Sequence, residues 1–360
     1  MRALRRSVLF AFLAITCQTS TYHSGAFAAS VPEAYRPHTR HLEEGVEPPA
    51  RPRNVILFVS DGMGPAAVTM TRDYVNDVLG GSGLTLDEIE VGSIRTRSTS
   101  SRVTDSAAGA TAYAAGVHTY NGAISVDTLK HPVGTVLEAA ETRGMATGLV
   151  VTCEITDATP AAFASHVPER SMQHEIAAQM LDHGVEVLFG GGASYFLTEG
   201  GSRRDGRDLI EEARTKGYQV VRDKDAFMGS LRAPVLGLFA DAAMGFDIDR
   251  DTTQLPSLAQ MAKRAIDLLD DDPDGFFLMV EASFIDVAGH QNDPAPEVQD
   301  VRAYDEAMEV AVTYARRTGN TLIVGTSDHE TGGLSLGRDG IYQWNPAVLS
   351  HVTASADRIV

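Results

Sequence analysis

The chain has 360 residues, of which 43% are hydrophobic, and is long enough for one large α/β domain or two smaller ones. Its formal net charge of −18 argues against nucleic acid or an anionic membrane as a partner, because both would repel it. An anionic substrate would therefore need a source of positive charge within its binding site.

The first 28 residues have the three parts of a secretory signal. Three arginines precede an apolar run over 8–15, and small residues lead to Ala28. The run is too short to span a membrane. We expect cleavage near Ala28, a change of net charge from −18 to −21, and export to the periplasm or the exterior. Residues 29–53 are expected to form an arm, and Cys153 would have no disulfide partner.

Buried strands alternate with helices along the rest of the chain. Continuous apolar runs are typical of parallel strands that are buried on both faces, and they cover 54–59, 146–151, 276–280 and 321–324. The stretch 185–189, which contains Glu186, leads into a Gly190-Gly191-Gly192 turn. Helical spacing and stop signals predict helices over 133–143, 171–183, 209–216, 258–269 and 296–317. This alternation predicts an α/β fold, a three-layer αβα sandwich with a central, mostly parallel sheet, over residues 54–360.

Polar residues follow the ends of these strands, where open α/β sheets place their ligands. Carboxylates with imidazoles suit Zn²⁺, and carboxylates with a hydroxyl suit Mg²⁺. Because Asp286 and His290 are four residues apart, one helical turn would place both on a single ion. The polar residues at the strand ends are Asp61, Thr159, Glu281, Asp286, His290, Asp328 and His329.

Ser106 lies where a helix is predicted to begin. A cap-type cluster, Thr104-Asp105-Ser106, runs into the small residues of 107–112. The first turn of a helix attracts anions, so it would stabilise both a serine alkoxide and an arriving phosphate. Ser106 is therefore a candidate nucleophile. The alternative is that Asp105 or Ser106 merely caps the helix.

Five stretches resemble, in order, the motifs of the alkaline phosphatase family: 61–64, 104–108, 154–160, 281–290 and 328–333. The resemblance covers roughly 54–333 and implies a phosphomonoesterase that forms a phosphoserine on Ser106. It implies two Zn²⁺ and one Mg²⁺ as cofactors and phosphate monoesters as substrates, and because the family often forms homodimers it also suggests a homodimer.

The resemblance also implies a role for each site residue. One Zn²⁺ would be held by Asp61, Asp328 and His329 and would also bind Ser106. A second Zn²⁺ would be held by Asp286 and His290. The Mg²⁺ would be held by Asp61, Thr159 and Glu281, with Asp157 just outside its ligands. Arg170 would bind the phosphate. The other histidines of the central region are expected to be structural or exposed: His118, His131, His166, His174 and His183.

The chain departs from the family pattern in one important respect. A third ligand of the second zinc, a histidine in a Gly-His-Thr-like segment, has no counterpart here, and His351 lies in surroundings unlike that segment. We therefore expect a domain that is incomplete at its C-terminal end. Two alternatives stay open: a weakly active or inactive fragment that binds metal and phosphate, and a phosphodiesterase on the same metals. Ser106 together with Arg170 favours monoesters.

Overall fold

Seven strands form the central sheet of this computed structural model, which describes residues 51–92, 94–337 and 340–360. All strand pairings in the sheet are parallel, in the order β4-β5-β3-β2-β6-β1-β7. The strands are β1 (Asn54–Ser60), β2 (Ala146–Glu154), β3 (Val187–Gly191), β4 (Gln219–Val221), β5 (Val235–Leu238), β6 (Phe276–Ala282) and β7 (Thr321–Ser327).

Helices cover both faces of the sheet. They are α1 (Pro65–Asp77), α2 (Thr85–Ile89), α3 (Ser106–Ala115), α4 (Val136–Glu141), α5 (Ala158–Ala164), α6 (Gln173–His183), α7 (Leu209–Thr215), α8 (Lys224–Met228), α9 (Leu258–Leu269), α10 (Phe284–Gln291), α11 (Pro294–Thr318) and α12 (Ala356–Ile359). Short 3₁₀ segments occur at Ala193–Tyr195 and Pro346–His351. Within the described ranges, no helix is long and apolar enough to cross a bilayer.

Two hydrophobic cores lie on opposite sides of the sheet. Along β1, Leu57 and Val59 enter the core that also holds residues of α3 to α7, whereas Ile56 and Phe58 enter the core that holds α9 and α11. Successive side chains of a strand point to opposite faces, so a continuous apolar run is what such a strand requires. The three-layer αβα architecture is therefore confirmed, and its sheet is parallel throughout.

The structure differs from the predicted elements in several places. The run at 321–324 is not buried on both faces, since β7 is the edge strand beside β1, and Leu322 and Val324 are 45% and 40% exposed. Sequence patterns missed the short strands β4 and β5 and also α1, α5 and α10. The predicted helix at 133–143 is shorter, because α4 begins only after its cap at Thr135.

The register of the central strands determines where the polar residues lie. Val59 of β1 pairs with Glu281 of β6 and with Thr326 of β7, so the three strands end at the same level. Asp61 and Asp328 follow these ends directly. The predicted signal and most of the predicted arm lie outside the described residues.

Candidate active site

A cavity of about 740 Å³ opens at the carboxyl ends of the central strands. Its lining includes most of the residues that the sequence singled out: Asp61, Ser106, Asp157, Arg170, Asp286, His290 and His329. The other three, Thr159, Glu281 and Asp328, are almost fully buried beside it. Parallel strands that end at one level therefore bring together residues from five separate stretches of the chain.

Ser106 is the first residue of α3, and Asp105 is the residue that caps this helix. Asp105 Oδ1 accepts a hydrogen bond from the backbone N–H of Ala108 at 2.9 Å, and its Oδ2 accepts from the N–H of Gly122 at 2.8 Å. The Ser106 hydroxyl is thus not needed as a cap and faces the cavity. Its oxygen lies 3.5 Å from Asp61 Oδ1 and 3.3 Å from His329 Nε2.

Asp61, Asp328 and His329 form a tight group below Ser106. Nε2 of His329 lies 3.5 Å from Asp61 Oδ1 and 3.4 Å from Asp328 Oδ2. The backbone N–H of Gly62 donates to Asp328 Oδ1 at 3.0 Å. Burial raises the pKa of Asp61 well above its usual value, and the nearby charges of Asp328 and Asp286 raise it further. The group thus concentrates negative charge in a buried place.

Asp286 and His290 lie on α10, one turn apart. His290 Nε2 is 3.5 Å from Asp286 Oδ2, and the His290 side chain is 70% exposed. Asp286 also faces His329, with 3.9 Å between Asp286 Oδ1 and His329 Nδ1. Sequence analysis missed Thr331, whose hydroxyl donates to Asp286 Oδ1 at 2.5 Å and lies 3.0 Å from His329 Nδ1. Thr331 therefore links the Asp286 carboxylate to the His329 ring.

Glu281 is fully buried at the end of β6. The hydroxyl of Ser283 donates to Glu281 Oε2 at 2.9 Å, and the thiol of Cys153 lies 3.5 Å from the same oxygen. Burial raises the pKa of Glu281 to about 8, the charge of Asp157 raises it too, and the hydrogen bond from the Ser283 hydroxyl opposes the rise. Neither Ser283 nor Cys153 was assigned to the site from the sequence, since neutral polar side chains give no metal-type signal.

Arg170 is held at the cavity wall by two carboxylates. Its Nη2 donates to Asp157 Oδ1 at 3.0 Å, and its Nη1 lies 3.6 Å from Asp105 Oδ2. Asp105 thus touches both the Ser106 helix and the Arg170 guanidinium. An arginine at this position presents a planar donor group to any anion in the cavity.

Bound divalent cations fit the chemistry of this site. Asp61, Asp286 and His329 each offer one ligand atom, and these atoms all lie within 4.8 Å of one another. Of the six buried side-chain oxygens that lack a hydrogen-bond partner among the described residues, three belong to this site: Thr159 Oγ1, Glu281 Oε1 and Asp328 Oδ2. Buried oxygens without donors, next to several carboxylates, are arranged as cation ligands are. The site therefore has metal-binding groups.

Three of the remaining histidines, His351, His166 and His183, lie outside the residues that line the cavity. His351 is exposed and lies in the 3₁₀ segment Pro346–His351, away from the cavity lining. His166 and His183 were expected to be structural or exposed. They are half-buried, and both lie against Glu138 outside the cavity.

Comparisons with known proteins show the family to which the chain is similar. A sequence profile of the family described as Alkaline phosphatase matches residues 52–358. The chain is 48% identical over 341 residues to the repressible alkaline phosphatase of Saccharomyces cerevisiae, with 85% of this chain and 60% of the yeast protein covered. It is 44% identical over 323 residues to the alkaline phosphatase of Schizosaccharomyces pombe, with 83% of this chain and 60% of that protein covered.

A solved structure gives the same relationship. The crystal structure of a cold-active alkaline phosphatase from the psychrophile Shewanella sp. superposes with a TM-score of 0.79 at 38% identity, with 85% of this chain and 75% of the other covered. The chain spans about three fifths of the length of the two yeast relatives. By sequence and by fold, this chain belongs to the alkaline phosphatase family.

Proposed function

We propose that this chain hydrolyses phosphate monoesters through a phosphoserine formed on Ser106. The observation that carries the proposal is the position of the Ser106 hydroxyl. It lies at the N-terminus of α3, in a cavity that also contains Arg170 and a group of carboxylates with His329. Membership of the alkaline phosphatase family supports the same reaction.

In the proposed reaction, Ser106 Oγ gives its proton to water and attacks phosphorus. The Oγ–P bond forms as the bond between phosphorus and the alcohol oxygen breaks, and the alcohol leaves with a proton from water. Water then attacks the phosphoserine, the Oγ–P bond breaks, and phosphate and free Ser106 result. The positive end of the α3 dipole stabilises the alkoxide, and Arg170 donates to two phosphate oxygens as charge spreads over them.

We further propose that two Zn²⁺ and one Mg²⁺ bind at the site. Asp61, Asp328 and His329 would hold one zinc, and Asp286 with His290 would contribute to the other. Asp61, Thr159 and Glu281 would hold the magnesium, with Asp157 nearby. When bound, the ions supply positive charge for the phosphate and lower the pKa of a hydroxyl nucleophile.

The test is the replacement of Ser106 by alanine. We expect turnover of para-nitrophenyl phosphate to fall by roughly 10³-fold or more, as on loss of a covalent nucleophile. Acid-quenched protein that has reacted with a ³²P-labelled monoester should carry label on Ser106, and the variant should carry none. Ser101→Ala is the matched control, since Ser101 lines the same cavity and accepts only a local N–H from Val103. Hydrolysis near the unsubstituted rate in Ser106→Ala would rule out the covalent route.

A second candidate is a chain that binds metal and phosphate but turns over slowly. The exposure of the His290 side chain favours this candidate. Among the described residues, Asp286 is the one acidic side chain within ion-pair distance of His290. Equilibrium dialysis with inorganic phosphate and Zn²⁺, run beside the turnover assay, separates the two. Binding without measurable turnover would support the second candidate.

We also propose that the substrate is a monoester and that the protein is exported. A phosphodiesterase would hydrolyse bis(para-nitrophenyl) phosphate faster than the monoester, whereas Ser106 and Arg170 favour the monoester. Export after cleavage near Ala28 would be checked by fractionation of cells and N-terminal sequencing. A homodimer would be checked by light scattering.

A further inference from the structure

A second group of metal-type side chains lies outside the active-site cavity. Glu138 lies in the first turn of α4, His166 lies between α5 and α6, and His183 is the last residue of α6. Each offers a ligand atom, and the three atoms lie within 4.8 Å of one another. None of the three is among the described residues that line the cavity.

One carboxylate oxygen faces two imidazole nitrogens in this group. Glu138 Oε1 lies 2.9 Å from His166 Nε2 and 3.1 Å from His183 Nε2. The other Glu138 oxygen accepts from the backbone N–H of Thr135 at 2.7 Å, in the capping box of α4. The carboxylate is thus held in place, with Oε1 pointing between the rings.

The second nitrogen of each ring is already used as a donor. His166 Nδ1 lies 2.8 Å from the carbonyl oxygen of Ser125, and His183 Nδ1 lies 2.9 Å from Glu141 Oε2. Carbonyl and carboxylate oxygens only accept, so both Nδ1 atoms carry hydrogen. A neutral ring then directs the Nε2 lone pair at Glu138 Oε1. Lone pairs in contact with a carboxylate oxygen require positive charge between them, either protons on both rings or one cation.

We propose that Glu138, His166 and His183 form a zinc site distinct from the active site. The ligand atoms would be Glu138 Oε1, His166 Nε2 and His183 Nε2. Ligands 2.0–2.1 Å from a tetrahedral ion lie about 3.3 Å apart, so the observed 2.9 and 3.1 Å need outward shifts of only a few tenths of an ångström. Two imidazoles with one carboxylate select Zn²⁺ over Mg²⁺ or Ca²⁺, which take oxygen ligands.

The surroundings are those of a zinc site. Histidine ligands almost always donate the other ring N–H to a carbonyl or carboxylate, as Ser125 and Glu141 provide here. The side chains of His166, His183 and Glu138 are 18%, 24% and 25% exposed, so solvent reaches them and a water can complete the tetrahedron. A bound ion would tie α4 to the end of α6 and to the segment that leads from His166 to Arg170.

The first experiment counts zinc in the full chain. Protein loaded with Zn²⁺ and then desalted is compared with His166→Gln and His183→Gln by elemental analysis. We expect each variant to hold one zinc fewer per chain, since ions at the active site are common to all samples. His131→Gln is the matched control, because His131 pairs with Asp127 on the surface without a second histidine. A zinc count in both variants equal to that of the unsubstituted chain would overturn the proposal.

The second experiment needs no substitution, so it stands if a variant fails to fold. Crystals of the unsubstituted chain grown with Zn²⁺ would be measured at the zinc absorption edge. We expect an anomalous peak 2.0–2.2 Å from the three ligand atoms. If the active site binds zinc while this group shows no peak, protons alone occupy it and the proposal is wrong.

Discussion

Nη2 of Arg170 donates to both carboxylate oxygens of Asp157, at 3.0 and 3.3 Å. Burial alone would lower the pKa of the Arg170 guanidinium, but the charges of Asp157 and Asp105 raise it above its usual value. The guanidinium therefore stays charged and is held in one orientation before a substrate arrives. An arginine oriented in advance loses little freedom on binding phosphate.

Replacement of Arg170 by alanine should weaken phosphate binding. Loss of charge-assisted hydrogen bonds should raise the KM for para-nitrophenyl phosphate by roughly 10- to 100-fold, and inhibition by inorganic phosphate should weaken in parallel. The KM of Arg170→Lys should lie between those of the unsubstituted chain and Arg170→Ala, because lysine keeps the charge but not the planar pair of donors. Arg222→Ala removes an exposed ion pair with Asp241 and serves as the control. Unchanged inhibition by phosphate in Arg170→Ala would exclude the binding role.

Replacement of Thr331 by valine should loosen the metal-binding group. Valine has the shape of threonine without the hydroxyl that donates to Asp286 and lies beside His329 Nδ1. Side chains that orient ligands typically affect metal affinity by about 10–100-fold. The measurement is the free Zn²⁺ concentration that restores half of the activity after chelation. Thr142→Val, at an exposed helix end, should leave that concentration unchanged. If Thr331→Val also leaves that Zn²⁺ concentration unchanged, the Thr331 hydroxyl does not orient the metal ligands.

The pKa of Glu281 predicts how the metal-free chain responds to pH. The usual pKa is 4.5 and the folded value is about 8, so the folded state binds the extra proton between these values. Stability is then fully present below about pH 4.5 and is lost as pH rises through about 8, by an amount on the order of a few kcal/mol. Urea unfolding in chelator at pH 5, 6.5 and 8 measures the loss.

Two variants test whether Glu281 causes the fall in unfolding free energy with pH. Glu281→Gln cannot ionise and should make the fall in stability between pH 5 and 8 smaller, with the remaining fall due to other buried acids such as Asp61. Glu211→Gln, at a side chain that is 69% exposed, should keep the fall. An equally steep fall in Glu281→Gln would show that another group is responsible.

Sequence patterns predicted the strands well where both faces are buried. The runs that became β1, β2 and β6 are apolar on both faces, so their presence followed from composition, and their parallel direction followed from the alternation of strands with helices. Helix α9 was predicted with its observed bounds, 258–269, and the structure shows a capping box of Ser257 and Gln260 at its start. The exposure of β7 could not be predicted, since an apolar run does not reveal whether a further strand or helix covers it.

The same limit applies to the site. Acidic residues at strand ends could be grouped, because parallel strands bring their carboxyl ends together. Thr331 and Ser283 could not, since a neutral hydroxyl next to a metal-type motif looks like any loop residue. The group of Glu138, His166 and His183 could not be predicted either. Its members come from two helices and a loop, and their approach depends on how α4 and α6 pack.

Gly62 shows how tightly the backbone encloses the site. Its φ is +70°, and a Cβ there would lie 2.7 Å from Asp286 Cα and 2.7 Å from Thr331 Oγ1. Gly116 has nearly the same φ, +69°, but no described atom lies within 4 Å of its Cβ position. Alanine substitutions at Gly62 and Gly116 therefore separate two free-energy costs: that of a left-handed φ, and that of the contact with Asp286 and Thr331.

Gly116→Ala should lose about 1 kcal/mol of unfolding free energy, the cost of placing alanine at positive φ. Gly62→Ala should lose that amount and roughly 1–3 kcal/mol more, because α10 must move away from β1 to admit the methyl group. The movement displaces Asp286, so the Zn²⁺ concentration that restores half of the activity should also rise in Gly62→Ala and stay unchanged in Gly116→Ala. The prediction is wrong if Gly62→Ala and Gly116→Ala lose the same unfolding free energy in urea and need the same Zn²⁺ concentration. In that case Asp286 moves aside without a free-energy cost, and the backbone does not enclose the site at Gly62.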